Sequence, residues 1–239
     1  MRTHADWSFI ARRNQELSQL AVAGDLETLQ KQINTEDWNE NGLADFDFYV
    51  EYCRTHWGMQ YSEDKPPLNL IPRTGRVLDV GFGYGFLLAS LANRRPVQEL
   101  YGADSSVKAI ELQHERTPDA TLVVADSASL PWPDNYFETL VATEIVEHLS
   151  PAHGQRTYKE MGRVATPTAT LILTTRINEN LGRSLMKCPD CQAVHHPAGH
   201  IRSFSKTLLL AELQMGGWQA TVLDEPAGGI LVQCQQIVS

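Results

Sequence analysis

The sequence is short of several things that would announce a function. Only four of its 239 residues are cysteine, and two of these, Cys53 and Cys234, stand alone. An isolated cysteine behaves as a small buried hydrophobe or a free thiol, so these two imply no disulfide framework. No apolar run approaches the ~18 residues of a membrane span. The stretch from Met1 to Trp7 has no apolar segment of the kind that marks a secretory signal, and the expected location is the cytoplasm. Lysine and arginine number 20 against 29 acidic residues, a formal net charge of −9, and the basic residues form no cluster. An acidic surface repels phosphate backbones, which disfavours nucleic acid as a partner. The composition, 42% hydrophobic and 21% charged, suits an ordinary globular chain. Its length allows one large domain, with or without an appendage.

What is present concentrates in a dozen residues. Val77-Leu78-Asp79-Val80 is an apolar run broken once by an acid, Gly81, Gly83 and Gly85 then alternate, and Phe86 to Ala92 continues with helical apolar spacing. Strand, glycine turn and helix N-terminus thus follow directly. Glycine lets the backbone turn sharply and approach a ligand closely, and the helix start aims N–H groups and a positive dipole end at it. A P-loop is excluded, because no Gly-Lys-Ser/Thr follows. A dinucleotide fingerprint needs G-x-G-x-x-G, and Phe86 stands where its third glycine would fall. The plain alternative is a glycine turn of any α/β domain.

Further acids follow at regular intervals. Glu99 to Asp104 reads as a second strand ending on a carboxylate, 23 positions after Gly81, where a ribose would find an acceptor for both hydroxyls. Ser105 and Ser106 open a helical run, so Asp104 also fits a helix cap. Thr121 to Ala125 makes a third strand, delivering Asp126 and Ser127, and Thr139 to Thr143 a fourth, delivering Glu144. The glycine stretch resembles the first motif of the class I S-adenosylmethionine-dependent methyltransferases, an acid followed by G-x-G-x-G. The segment from Asp126 through Leu130-Pro131-Trp132 to Phe137-Glu138 is similar to a later motif of that family. The resemblance covers about residues 70–238. It implies that Asp79, Gly81, Phe82, Gly83 and Gly85 wrap the methionine and ribose part of the cofactor, that Asp104 with Ser105 meets the ribose, and that Asp126 and Ser127 meet the adenine, below Glu144. It implies too an α/β, Rossmann-like, doubly wound sheet of seven strands, mostly parallel, with the last antiparallel.

Glu144-Ile145-Val146-Glu147-His148 is the second informative stretch. If it opens a helix, Glu144, Glu147 and His148 share one face at the mouth of the cleft. Glu144 and His148 are then candidates to take a proton from an acceptor, or the trio holds magnesium or manganese. A helix cap with a packed histidine is the bland reading. The pentad resembles that of ubiquinone-pathway O-methyltransferases and of small-RNA 3′-end 2′-O-methyltransferases, in some of which a downstream histidine completes a metal site. His200 occupies the corresponding place. Cys188-x2-Cys191, with His196 and His200 close behind, offers four nitrogen and sulfur ligands in thirteen residues, a set suited to zinc. His200 is claimed by both sites.

The organisation expected is a helical cap over 1–62, a proline-rich linker over 63–75, and a core over 76–239 with the cysteine–histidine loop inserted at 186–202. Tyr49, Tyr52 and Trp57 of the cap are candidates for the substrate pocket. The expected function is methyl transfer to an oxygen, nitrogen or carbon atom of a small molecule. The alternatives are a metal-dependent RNA 2′-O-methyltransferase, an NAD-type oxidoreductase and a non-catalytic cofactor-binding relative. Oligomeric state is not legible.

Overall fold

A computed structural model describes residues 64–94, 99–187, 194–196 and 198–237. The expected helical cap, with Tyr49, Tyr52 and Trp57, lies outside the described residues, as do Cys188 and Cys191.

The described chain builds one large sheet. Strands β1 (Arg76–Val80), β2 (Glu99–Asp104), β3 (Thr121–Val124), β4 (Phe137–Thr143) and β5 (Ala165–Arg176) run parallel. A two-stranded ribbon, β6 (Met186–Lys187) and β7 (Val194–His195), interrupts the sequence before β8 (Trp218–Asp224) and β9 (Gly229–Gln236). The sheet order is β3-β2-β1-β4-β5-β9-β8, with β9 antiparallel to both its neighbours. Six strands therefore run one way and the last runs against them, as expected.

The helices are set by their first residues. Between the strands lie α1 (Phe86–Ala92), α2 (Val107–Arg116), α3 (Pro151–Val164), the short α4 (Leu181–Ser184) and α5 (Lys206–Met215). Ser106, Ser150 and Ser205 cap α2, α3 and α5, each hydroxyl accepting from a backbone N–H three residues on. Pro151 at the first position of α3 has its φ preset for a helix and no N–H to waste. Among the described residues no helix is long and apolar enough to cross a membrane.

Alternation along the strands divides the core between the two faces of the sheet. Leu78, Leu140, Leu171 and Leu173 face α3 and α5, meeting Tyr158, Met161, Leu209 and Trp218. Val77, Val141 and Ile172 face the other way, onto Leu87, Leu88 and Leu91 of α1 and Ala109 and Ile110 of α2. Burial of each such leucine contributes about 1.5–3 kcal/mol. Leu68 and Ile71, just before β1, are also buried, and Arg94 donates to both their carbonyls at 3.2 and 3.0 Å. The C-terminal ends of β1, β2 and β4 then bring their loops together at one edge, where open α/β sheets bind ligands.

Candidate functional site

The glycine turn is built as its spacing predicts. Gly81, Gly83 and Gly85 all have positive φ, at 70°, 51° and 66°. Two of them are also fixed by close neighbours. A Cβ on Gly81 would lie 2.3 Å from the Ile145 side chain, and one on Gly85 2.0 Å from the Gln113 amide oxygen. A Cβ on Gly83 would meet nothing within 4 Å, so Gly83 alone turns its bare face to open space. That is the face a cofactor would fill.

Asp104 holds this turn through the backbone. Its Oδ2 accepts from the N–H of Gly83 at 2.8 Å and its Oδ1 from that of Ser106 at 2.9 Å. The helix cap is Ser106, whose hydroxyl accepts from Ala109, so Asp104 is free of that duty. Burial pushes the Asp104 carboxyl up, against the N–H donors of Ser106, Gly83 and Ser105. Asp79 lies beside it, 1% exposed, with an Oδ1 that is buried and has no hydrogen-bond partner. Burial, and then the charge of Asp104, pushes its pKa up to about 8. Two buried carboxyls flanking a bare turn suit a ligand with hydroxyls and positive charge. Their donor set fits S-adenosylmethionine.

Phe82 is 7% exposed and packs into the core against α1, so only its backbone belongs to the turn. Asp126 sits after β3 as expected, and its Oδ1 accepts from the His153 ring at 2.8 Å and from the Ala128 N–H at 2.8 Å. Burial raises the Asp126 carboxyl, but the His153 bond and the Ala128 N–H outweigh it and hold the group below its ordinary value. Ser127 bonds Thr157 through its hydroxyl at 2.9 Å, leaving its backbone as the part that could meet a base.

On the other side of the turn the expected helix is absent. Glu144 adopts a left-handed φ of 52°, and Val146–His148 forms a single 3-10 turn. An α-helix cannot run on from here, because Ser150 must be extended to cap α3 and to precede Pro151. Glu144 and His148 are therefore not one helical turn apart. Glu147 points inward, 0% exposed, with Oε2 accepting from the Thr175 hydroxyl at 2.8 Å and Oε1 buried with no hydrogen-bond partner. Burial, then the nearby Glu144 charge, pushes its carboxyl well up. The His148 ring faces the Gly199 carbonyl at 3.2 Å and is pulled down to about 3 by burial, then by His200.

The histidine loop folds onto this turn. The backbone N–H groups of Ile201 and Arg202 both reach the Glu147 carbonyl, at 3.1 and 3.4 Å. One ligand atom from each of Glu147, His148 and His200 lies within 4.8 Å of the others, and the same holds for Glu179, His196 and His200. Glu144 stands outside both groups. Of the four zinc ligands expected from sequence, His196 and His200 come together, stacked at 4.6 Å, and they do so on Glu179. Glu179, Thr175 and His153 carry no motif. The signal that was there for Glu179 is its position just past the C-terminal end of β5, the edge where the other site residues lie.

Comparison with known proteins agrees with this geometry. Residues 77–168 match the family described as a methyltransferase domain. A demethylmenaquinone methyltransferase of Thermotoga maritima is 28% identical over 108 residues, which are 45% of this chain and 46% of that protein. This chain thus spans less than half the length of that relative. A S-adenosylmethionine-dependent methyltransferase from Methanosarcina mazei superposes with a TM-score of 0.59 at 20% identity, over 74% of this chain and 100% of the other. A TehB-like S-adenosylmethionine-dependent methyltransferase from Corynebacterium glutamicum gives 0.59 at 13% identity, over 81% of this chain and 98% of its own. Of the alternatives that the glycine spacing left, the domain match favours the methyltransferase over the NAD-type fold. Residues 77–168 thus match a methyltransferase domain, set in a fold shared with solved S-adenosylmethionine-dependent methyltransferases.

Proposed function

We propose that this chain transfers a methyl group from S-adenosylmethionine to an oxygen, nitrogen or carbon nucleophile of a small-molecule acceptor. The observation that carries this reading is the bare face of Gly83 between Asp79 and Asp104. The bound cofactor supplies an electrophilic methyl on its sulfonium. The chain's own residues do the rest. Asp104, already oriented by two N–H donors, keeps further lone pairs for the ribose hydroxyls. Asp79 offers its unpartnered Oδ1 to the positive charge, and Asp126 with the Ser127 backbone receives the adenine. In-line displacement needs alignment and exclusion of water more than a nucleophile, which fits so sparse a set of groups. Glu144 and His148 flank the acceptor side, and the neutral His148 ring is a base or a ligand rather than a cation. Calorimetry with S-adenosylmethionine and S-adenosylhomocysteine tests the reading. Saturable binding of both supports it, while NADH binding with neither would end it.

A second reading is favoured by one observation, the convergence of ligand atoms of Glu147, His148 and His200, with one Glu147 oxygen buried and unpartnered. That arrangement suits a divalent cation, magnesium or manganese as the carboxylate prefers, with the imidazoles drawing the choice toward softer metals. It would orient a hydroxyl of the acceptor, and it keeps RNA as the rival to a small molecule. The net charge of −9 ranks RNA second, and tight binding that weakens steeply with salt would reverse that order. Zinc on Cys188 and Cys191 with His196 and His200 competes for His200. Near-stoichiometric zinc that disappears in Cys188→Ser would decide for it.

A further inference from the structure

Glu179 belongs to neither motif, yet two histidines converge on it. Its side chain is 13% exposed, with Oε1 3.2 Å from Nε2 of His196 and Oε2 2.6 Å from Nδ1 of His200. The partners fix where each ring carries its proton. Nδ1 of His196 faces the backbone N–H groups of Ala198 and His200, at 3.3 and 3.2 Å. An amide N–H only donates, so Nδ1 holds the lone pair and the proton sits on Nε2, directed at Glu179. The carboxylate is also acceptor-only, so its second oxygen takes the Nδ1–H of His200. His200 then carries its lone pair on Nε2.

The consequence lies on the other side of the His200 ring. That ring stands edge-on to His148, 5.0 Å away and at 76°. Glu147, with its buried, partnerless Oε1, completes the group. The Nδ1–H tautomer leaves the Nε2 lone pair of His200 unspent by Glu179. With the opposite tautomer, Nε2 would carry the proton and could not ligate a metal.

We propose that Glu179, backed by His196, is a positioning residue that holds His200 in its Nδ1–H form and so makes Glu147, His148 and His200 a divalent-cation site. The inference rests on the cation reading above and names the residues that build it. It also takes His196 out of the zinc set, because a nitrogen that must donate to Glu179 has no lone pair for a metal. Ligating histidines commonly give their other N–H to a carboxylate, and loss of such a partner typically costs about 10–100-fold in metal affinity.

The test has two parts. Long-range proton–nitrogen NMR on histidine-labelled full-length protein reads the tautomers without metal. The proposal expects Nδ1–H on His200 and Nε2–H on His196, and Nε2–H on His200 would overturn it. Manganese titration followed by electron paramagnetic resonance then compares wild type with Glu179→Gln. The amide can accept from one ring only and presents an N–H to the other, so manganese affinity should fall about 10–100-fold, with partial rescue by Glu179→Asp. Unchanged affinity in Glu179→Gln, or zinc bound through His196 and lost in Cys188→Ser, would overturn the proposal. S-adenosylhomocysteine titrated into the same samples separates this failure from failure of the methyltransferase reading, which would remove binding from wild type as well.

Discussion

Asp104 and Glu147 are both buried carboxylates at the ligand-binding edge of one sheet, yet they are held in unlike ways. Asp104 is held by backbone N–H groups from the loops that follow β1 and β2. Glu147 receives one side-chain hydroxyl, from Thr175, 28 residues away, and leaves its other oxygen unmatched. Glu179 goes further and receives two imidazoles, from 17 and 21 residues away. The side proposed for the cofactor is thus made of main chain, and the side proposed for the acceptor of side chains that meet only when β5 and the histidine loop are in place. A main-chain site tolerates little change and suits a ligand that is always the same. A side-chain site can be altered one residue at a time, as suits an acceptor that differs between enzymes.

The largest effect that would sharpen this contrast is expected at Asp104. Asp104→Ala should lower S-adenosylhomocysteine affinity by about 1–3 kcal/mol, and it should also lower the melting temperature, because two N–H groups lose their acceptor. Calorimetry and thermal unfolding on the same sample check both. Loss of stability with unchanged affinity would leave Asp104 only a structural role.

The next concerns pH. Asp79 is raised in the fold to about 8 from an ordinary 3.8, so between those values the folded chain holds a proton that the unfolded chain has lost. Stability therefore falls as pH rises through that window. Glu147, also raised, acts in the same direction, whereas His148, lowered to about 3 from 6.5, opposes them only below 6.5. The melting temperature should decline between about pH 6.5 and 8, and Asp79→Asn should remove its share of the decline. Affinity for the positively charged S-adenosylmethionine should rise over the same interval in wild type and not in Asp79→Asn. A flat profile in wild type would mean that Asp79 is ionised throughout.

A smaller effect separates ligand from fold at Gly83. Gly83→Ala puts a side chain at a φ of 51°, a strain of about 1–2 kcal/mol, with no clash in the protein itself. Cofactor affinity should suffer more than stability, and the reverse would close the open face to a ligand. Smallest on the cofactor side should be Thr175→Val, which takes the hydroxyl from Glu147. It should cost about 1 kcal/mol of stability while leaving S-adenosylhomocysteine affinity as it was.

The same contrast explains what the sequence made legible. The glycine turn, Asp79, Asp104 and Asp126 could be read because each lies where a strand ends and its chemistry is local. The seven strands and the antiparallel last one followed from the family resemblance. For Phe82 no side-chain direction could be read from the sequence, because a residue in a glycine turn can still send its side chain to the core. The pentad was misread as a helix because its i, i+4 spacing hid the start of a second helix at Ser150-Pro151. Glu179 was marked only by its place just past β5, and His153 by nothing, since a glutamate in a loop and a histidine in a helix acquire meaning only through partners brought by the fold.

The most direct test of the division between the two sides is the affinity for S-adenosylhomocysteine measured by calorimetry in wild type, Asp104→Ala and Glu179→Gln. The account predicts one site per chain in wild type, marked weakening in Asp104→Ala and no change in Glu179→Gln. No binding to wild type, or equal weakening in both variants, would contradict it.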